Sequence, residues 1–302
     1  MAHARLLALA AGLTFALPAA ARAAGLYQMQ LLLKLGDKVE GIQLDPNGRF
    51  DVGGLNDNGQ IVFSAQSAAG GELLVQYGVS GTFTPIVVPG ADAPGGKWSA
   101  ADKIVTPVGM NQLGNVVFGA DVVVGGQPDI GTFFWDSKTE KVTAVAVRGM
   151  SAGDSRVFEQ GANTSAAINN QNDIAFSPMI KNAPGQTKQG VFLLGRDGTL
   201  QPIALPDQAR PGGGTFASAG CPYVNDAGMI GFAGRQAGEK GPSSWVWDKG
   251  TISPVAVLGA DAPGGGKIGG SDGALVNNKN QSLLADVQVN DPAGPNALYR
   301  YT

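Results

Sequence analysis

The chain of 302 residues has one cysteine, Cys221, and one histidine, His3. A lone cysteine excludes an internal disulfide, so cross-links do not hold the fold. A lone histidine at position 3 excludes Ser–His triads and Cys–His nucleophiles, and it excludes zinc, copper or haem sites built on imidazole. Charged residues make up only 15% of the chain, and aromatic residues 7%. A quarter charged is usual. A disordered chain has high net charge and few apolar residues, whereas 43% of this chain is hydrophobic. There are five glutamates, Glu40, Glu72, Glu140, Glu159 and Glu239, and none shares a motif with a second carboxylate. Glycine is the surplus, at 46 residues. It has no three-residue period, which excludes collagen.

Residues 1–24 read as a secretory signal peptide. His3 and Arg5 precede an apolar run from Leu6 to Ala21, and small residues around Ala23 offer a cleavage site. The run is too short and alanine-rich for a good membrane span, and no second long apolar segment follows. The expectation is an exported protein, periplasmic or extracellular, with residues 25–302 forming one monomeric domain. Without Arg5 and Arg22, 19 basic residues face 24 acidic ones. That balance does not suit nucleic acid, which wants a basic face.

The mature chain repeats itself. An apolar residue, an asparagine, two variable residues and then Gly or Asn recur around Asn56, Asn111, Asn169, Asn225 and Asn277, at spacings of 55, 58, 56 and 52. Seven residues after each asparagine stands Phe63, Phe118, Phe176, Phe232 or Leu284. Ile61, Val116, Ile174, Ile230 and Ser282 stand two residues earlier, the period of a strand. Asn at the first position of a turn accepts a backbone hydrogen bond two residues on. The fourth position of the turn, where only Gly59, Gly114, Asn172, Gly228 and Asn280 occur, needs positive φ. The asparagines are therefore read as structural.

Third and fourth apolar runs follow each turn, except that the fifth unit stops after its third. Gln30 to Leu35, followed by Gly36-Asp37, matches the missing run. The reading is an all-β, five-bladed β-propeller of four-stranded antiparallel blades, with the N-terminal strand completing the last blade.

The segments between the fourth run and the next unit carry a second motif, Gly90-Ala91-Asp92-Ala93-Pro94-Gly95-Gly96 and Gly259-Ala260-Asp261-Ala262-Pro263-Gly264-Gly265. A looser copy is Pro206 to Gly212. LNDNGQIVFSA, GVFLL and PVAVLGADAPGGG together resemble the units of a family of secreted bacterial repeat proteins, LNxxGxVxF, GIF and VAxxGDxAPG. The resemblance covers the mature chain. It implies propeller blades and brings no catalytic residues with it.

Asp37, Asp92, Asp207 and Asp261 are the candidate site, as a partial carboxylate ring at one channel mouth. No cofactor is expected unless such a ring holds calcium, which it suits, as it suits a carboxylate pair acting on a glycosidic bond. The competing reading is that each aspartate caps its own loop. Trp98, in one of these loops, is the tryptophan expected to be exposed for stacking on a sugar, and Tyr223 is expected near the channel. Cys221 is expected as a small buried residue. The leading expectation is a non-enzymatic protein that binds a glycan, a peptide or an envelope protein through its loop-rich face. The alternatives are a carbohydrate-active hydrolase or lyase using the aspartates, with Tyr223 or Arg210, and an assembly module.

Overall fold

The computed structural model describes residues 29–101, 105–153, 155–161, 165–183, 186–289 and 296–301. The expected signal peptide, with His3, lies outside them. The chain divides into two units, Met1–Lys34 and Leu35–Thr302. Every described strand belongs to the second unit, and every strand pair is antiparallel. The described residues contain no helix long and apolar enough to cross a membrane.

Four-stranded sheets succeed one another along the chain. The first is Phe50–Leu55, Ile61–Gln66, Glu72–Tyr77 and Phe83–Val87, paired in that order. The second is Val105–Met110, Val116–Val124, Gln127–Asp136 and Lys141–Ala146. The third is Ala166–Ile168, Ile174–Phe176, Val191–Leu194 and Leu200–Ala204. The fourth is Ser218–Val224, Ile230–Arg235, Ser243–Asp248 and Thr251–Ala256. In the fifth, Leu275–Val276 and Ile268–Gly270 both pair with Ser282–Val289, whose other edge takes Asn296–Tyr301. Residues 30–35, the expected closing strand, form no strand. Leu31-Leu32-Leu33 is a continuous apolar run without period-two alternation, so the sequence does not set a register there.

Two sheets extend beyond the four-run pattern. The second sheet's central hairpin runs on to a tight turn at Gly125-Gly126, both at positive φ, which two glycines allow at no steric cost. Between the second and third strands of the third sheet, Met179–Ala183 and Gln186–Gln189 form a further hairpin that pairs with Arg156–Gln160.

Each asparagine turn forms as the residues dictate. Asn111 Oδ1 accepts from the backbone N–H of Leu113 at 3.1 Å and of Asn115 at 3.0 Å, and Gly114 takes φ 81°. Asn172 and Asn280 hold the same position at φ 67° and 58°. The asparagines also join the sheets. Asn56 Nδ2 donates to Asn111 O at 3.2 Å, Asn111 to Asn169 O at 3.0 Å, Asn169 to Asn225 O at 2.9 Å, and Asn225 to Asn277 O at 2.8 Å. A parallel ladder runs one residue on. The backbone N–H groups of Asp57, Gln112, Asn170 and Asp226 donate to side-chain oxygens of Gln112, Asn170, Asp226 and Asn278, each at 2.8–2.9 Å.

Between the sheets lies the core. Val62, Leu74 and Ile86 of the first sheet pack with Phe118 and Phe133 of the second. Val117 and Val145 of the second pack with Phe176 and Phe192 of the third.

Asn111 is buried and makes bonds in both directions, so Asn111→Ala is expected to cost about 2–4 kcal/mol of stability. Urea unfolding with an unchanged m value checks this. A loss below about 0.5 kcal/mol, the usual size at a surface site, would show the ladder to be incidental.

Candidate functional site

The segment before each sheet folds into a hairpin rather than an open loop. The pairings are Lys38–Val39 with Ile42–Gln43, Asp92–Ala93 with Gly96–Trp98, Ser151–Gly153 with Arg156 and Val157, Ala209 with Thr215, and Asp261 with Lys267. Each hairpin returns one apolar side chain to the core: Leu44, Trp98, Phe158, Phe216 and Ile268, all buried. A backbone clasp holds four of these returns. Gly90 donates to Trp98 O and Trp98 to Ala91 O, at 3.2 and 2.9 Å. The pairs Gly149–Phe158, Asp207–Phe216 and Gly259–Ile268 repeat the first bond at 2.7–2.9 Å. In sequence the sign of this was an apolar residue eight or nine places after Gly36, Gly90, Gly149 and Gly259.

Trp98 is therefore not an exposed platform. Its ring meets Phe133 edge-on at 4.7 Å and Phe118 at 6.0 Å. The same triangle recurs as Phe158, Phe176 and Phe192, and as Phe216, Phe232 and Trp245.

The aspartates sit on separate hairpins. Asp92 faces Lys97 across its hairpin at 3.9 Å, and Asp261 is paired with Lys267. Asp207, at φ 67°, takes Lys188 at 3.3 Å. The backbone carbonyl of Asp37 accepts from Leu44 N–H at 2.9 Å. Among the described residues no three carboxylate, histidine or cysteine groups gather as a metal would need. Tyr223 is exposed on the first strand of the fourth sheet.

Cys221 is exposed, at φ 51°. A bulge between Gly220 and Tyr223 removes it and Pro222 from the ladder, where proline has no N–H to give. It lines a cavity of about 310 Å³ with Gln189, Arg235 and Asp272.

The larger cleft, about 570 Å³, lies between the first and second sheets. Thr84, Pro85 and Ile86 form one wall, and Trp135 with Glu140 to Thr143 forms the other. Asp92, Ala93, Pro94 and Trp98 of the hairpin also line it. Two of the predicted residues, Asp92 and Trp98, thus meet here, while Asp37, Asp207, Asp261 and Tyr223 do not line it. Trp135 is buried and its Nε1–H has no hydrogen-bond partner among the described residues. A buried N–H left without a partner is costly and calls for an acceptor. The cleft's lining of indole, two carboxylates, a lysine and two threonines is of the kind that holds a polyhydroxylated ligand. Away from the cleft, the Thr199 backbone N–H and hydroxyl hold the Asp197 carboxyl below the usual carboxylate range in a turn.

A family model described as a family of unknown function, DUF7453, matches residues 24–291. No curated protein matches the chain. Similar solved structures include TolB from Acinetobacter baumannii, 9% identical with a TM-score of 0.46, covering 86% of this chain and 51% of that one. The β-propeller domain of the Trilobed protease from Pyrococcus furiosus is 10% identical with a TM-score of 0.45, covering 85% and 65%. The polysaccharide lyase Uly1 is 13% identical with a TM-score of 0.44, covering 85% and 57%. The chain spans about half the length of the TolB chain and less than two thirds of the other two.

Trp98→Ala is expected to cost about 3–5 kcal/mol, as large-to-small core changes do. Asp92→Ala and Asp261→Ala, at exposed pairs, are expected to stay within about 0.5 kcal/mol. Thermal unfolding of the three variants distinguishes a core plug from a surface platform.

Proposed function

The chain belongs to the DUF7453 family of unknown function, and we propose that this member is an exported, monomeric five-bladed β-propeller that binds its ligand without catalysis. Of the three ligand classes open to a loop-rich face, a glycan suits the cleft between the first and second sheets best. The observation that carries this reading is the convergence of Thr84, Asp92, Glu140, Lys141 and Thr143 on one cleft beside the Trp98 and Trp135 rings. A sugar hydroxyl donates to a carboxylate and accepts from an ammonium, which suits these side chains. Trp98 floors the cleft from within the core rather than stacking on the ring.

The chemistry of the side chains favours binding over turnover. No imidazole follows residue 3, and Asp92 is exposed beside Lys97 rather than placed in an apolar pocket that would hold its proton.

The test is a polysaccharide panel followed by both binding and product formation. Binding without new reducing ends or unsaturated products is expected. Glu140→Ala and Asp92→Ala together are expected to weaken binding about tenfold or more, the equivalent of about 1.4 kcal/mol. Product release that Asp92→Ala abolishes would replace this reading with the hydrolase or lyase.

A further inference from the structure

Four sheet-to-sheet junctions share one plan, and the chain's first and last sheets each show half of it uncovered. The residue six places after each asparagine faces the following sheet. Val62, Val117 and Ala175 are fully buried there, and a Cβ on Gly231 would lie 1.9 Å from Ala274 O of the fifth sheet. Their counterpart in the fifth sheet, Leu283, is 40% exposed. Asn56, Asn111, Asn169 and Asn225 are buried, whereas Asn277 is exposed.

The opposite half appears on the first sheet. The residue before each asparagine packs back onto the preceding sheet. A Cβ on Gly54 would stand 3.3 Å from Met110 Cβ, and one on Gly109 would stand 3.6 Å from Ile168 Cγ2. Met110, Ile168, Val224 and Val276 are half-buried in this way. Leu55, their counterpart in the first sheet, is 70% exposed, with Val52 beside it at 68%.

We propose that these two faces are mates, and that the fifth sheet docks on the first by the contact that joins the other four pairs. The atoms follow from the repeat. Leu55 enters the cavity of about 330 Å³ that Leu275 and Leu283 line on the fifth sheet. Asn277 Nδ2 donates to Asn56 O. The backbone N–H of Asn278 donates to the Asp57 carboxylate, the one member of the second ladder whose side chain accepts no such bond among the described residues. The occupant is the chain's own first sheet, because the tether gives it an effective concentration in the millimolar range. The same contact made between copies would be head-to-tail and would propagate into open filaments. Closure makes the hairpins of Asp261 and Asp37 neighbours and the loop face continuous. The inference rests on the five-bladed reading, but its test involves no glycan, so loss of the ligand assignment leaves it standing.

The test is a cysteine pair, Leu55→Cys with Leu275→Cys, in a Cys221→Ser background. Gly54→Cys with Met110→Cys is the positive control, its Cβ separation being close to the roughly 3.5–4.5 Å of a disulfide. On oxidation the seam pair is expected to give a monomer with no free thiol. Covalent dimers or larger species would assign the face to a second copy and overturn the proposal, as would free thiols where the control oxidises. Asp57→Ala, without the cysteines, is expected to lower Tm by about 2–4 °C, the shift a single lost hydrogen bond gives a chain of this size. Asp57→Asn, which keeps an acceptor, is expected to restore it. A Tm unmoved by Asp57→Ala would count against closure even if the cysteine variants failed to fold.

Discussion

The primary amide of asparagine holds this molecule together at one end of every sheet. Its oxygen and nitrogen are separate hydrogen-bonding groups on a short stem. In Asn169 the oxygen accepts from Gln171 and Asp173 within its own turn, at 2.9 and 2.8 Å, while the nitrogen reaches Asn225 O in the next sheet. Aspartate would keep the acceptor and lose the donor, and serine would not span the distance. Turn formation and sheet-to-sheet placement are thus one event. A sheet whose turn misfolds also loses its grip on its neighbour, which is why these buried amides stand at the same position four times in succession.

The hairpins supply the matching constraint at the other end. All but the first reach out from the fourth strand of one sheet, and each brings an apolar side chain back before the next sheet begins. Trp98, Phe158 and Phe216 then complete aromatic triangles with centroid separations of 4.7–6.1 Å, the range where edge-on and offset rings attract. The sheets are pinned by polar bonds at the turn end and by buried rings at the hairpin end. With these pins and the packed core between them, one cysteine suffices because none is needed for cross-linking.

The turns were legible in the sequence because their rule is local. Positive φ at the fourth position admits only Gly and Asn here, and Gly59, Gly114, Asn172, Gly228 and Asn280 all adopt it. The second use of the asparagines was not legible, because the partner of each Nδ2 lies 52 to 58 residues away and no local pattern names it. The aspartates left two readings open, a ring or a residue serving its own loop, and Asp92 and Asp261 pair with Lys97 and Lys267 on their own hairpins. Trp98 misled because its flanking lysine and serine mark a surface segment, while the side chain that matters turns inward between them. Cys221 needed the bulge, and the bulge follows from Pro222, whose missing N–H breaks the ladder.

A scaffold built from five nearly equal units still has to make one site, and equality works against that. Whatever the repeat supplies at every sheet serves the sheet; whatever binds has to come from where the units differ. Two differences stand out. The third sheet inserts the hairpin Met179–Ala183 and Gln186–Gln189 between its second and third strands. The junction of the first and second sheets carries Trp98 and Trp135 together, whereas the next junction places Phe158 and Leu194 at those two positions. The repeat already places a ring at the Trp135 position in Tyr77, Trp247 and Tyr301, so the departure at this junction is Trp98, where the other hairpins return Leu44, Phe158, Phe216 and Ile268. In a chain so poor in charge, Asp92, Glu140 and Lys141 nonetheless meet at this one cleft, which is where the units differ.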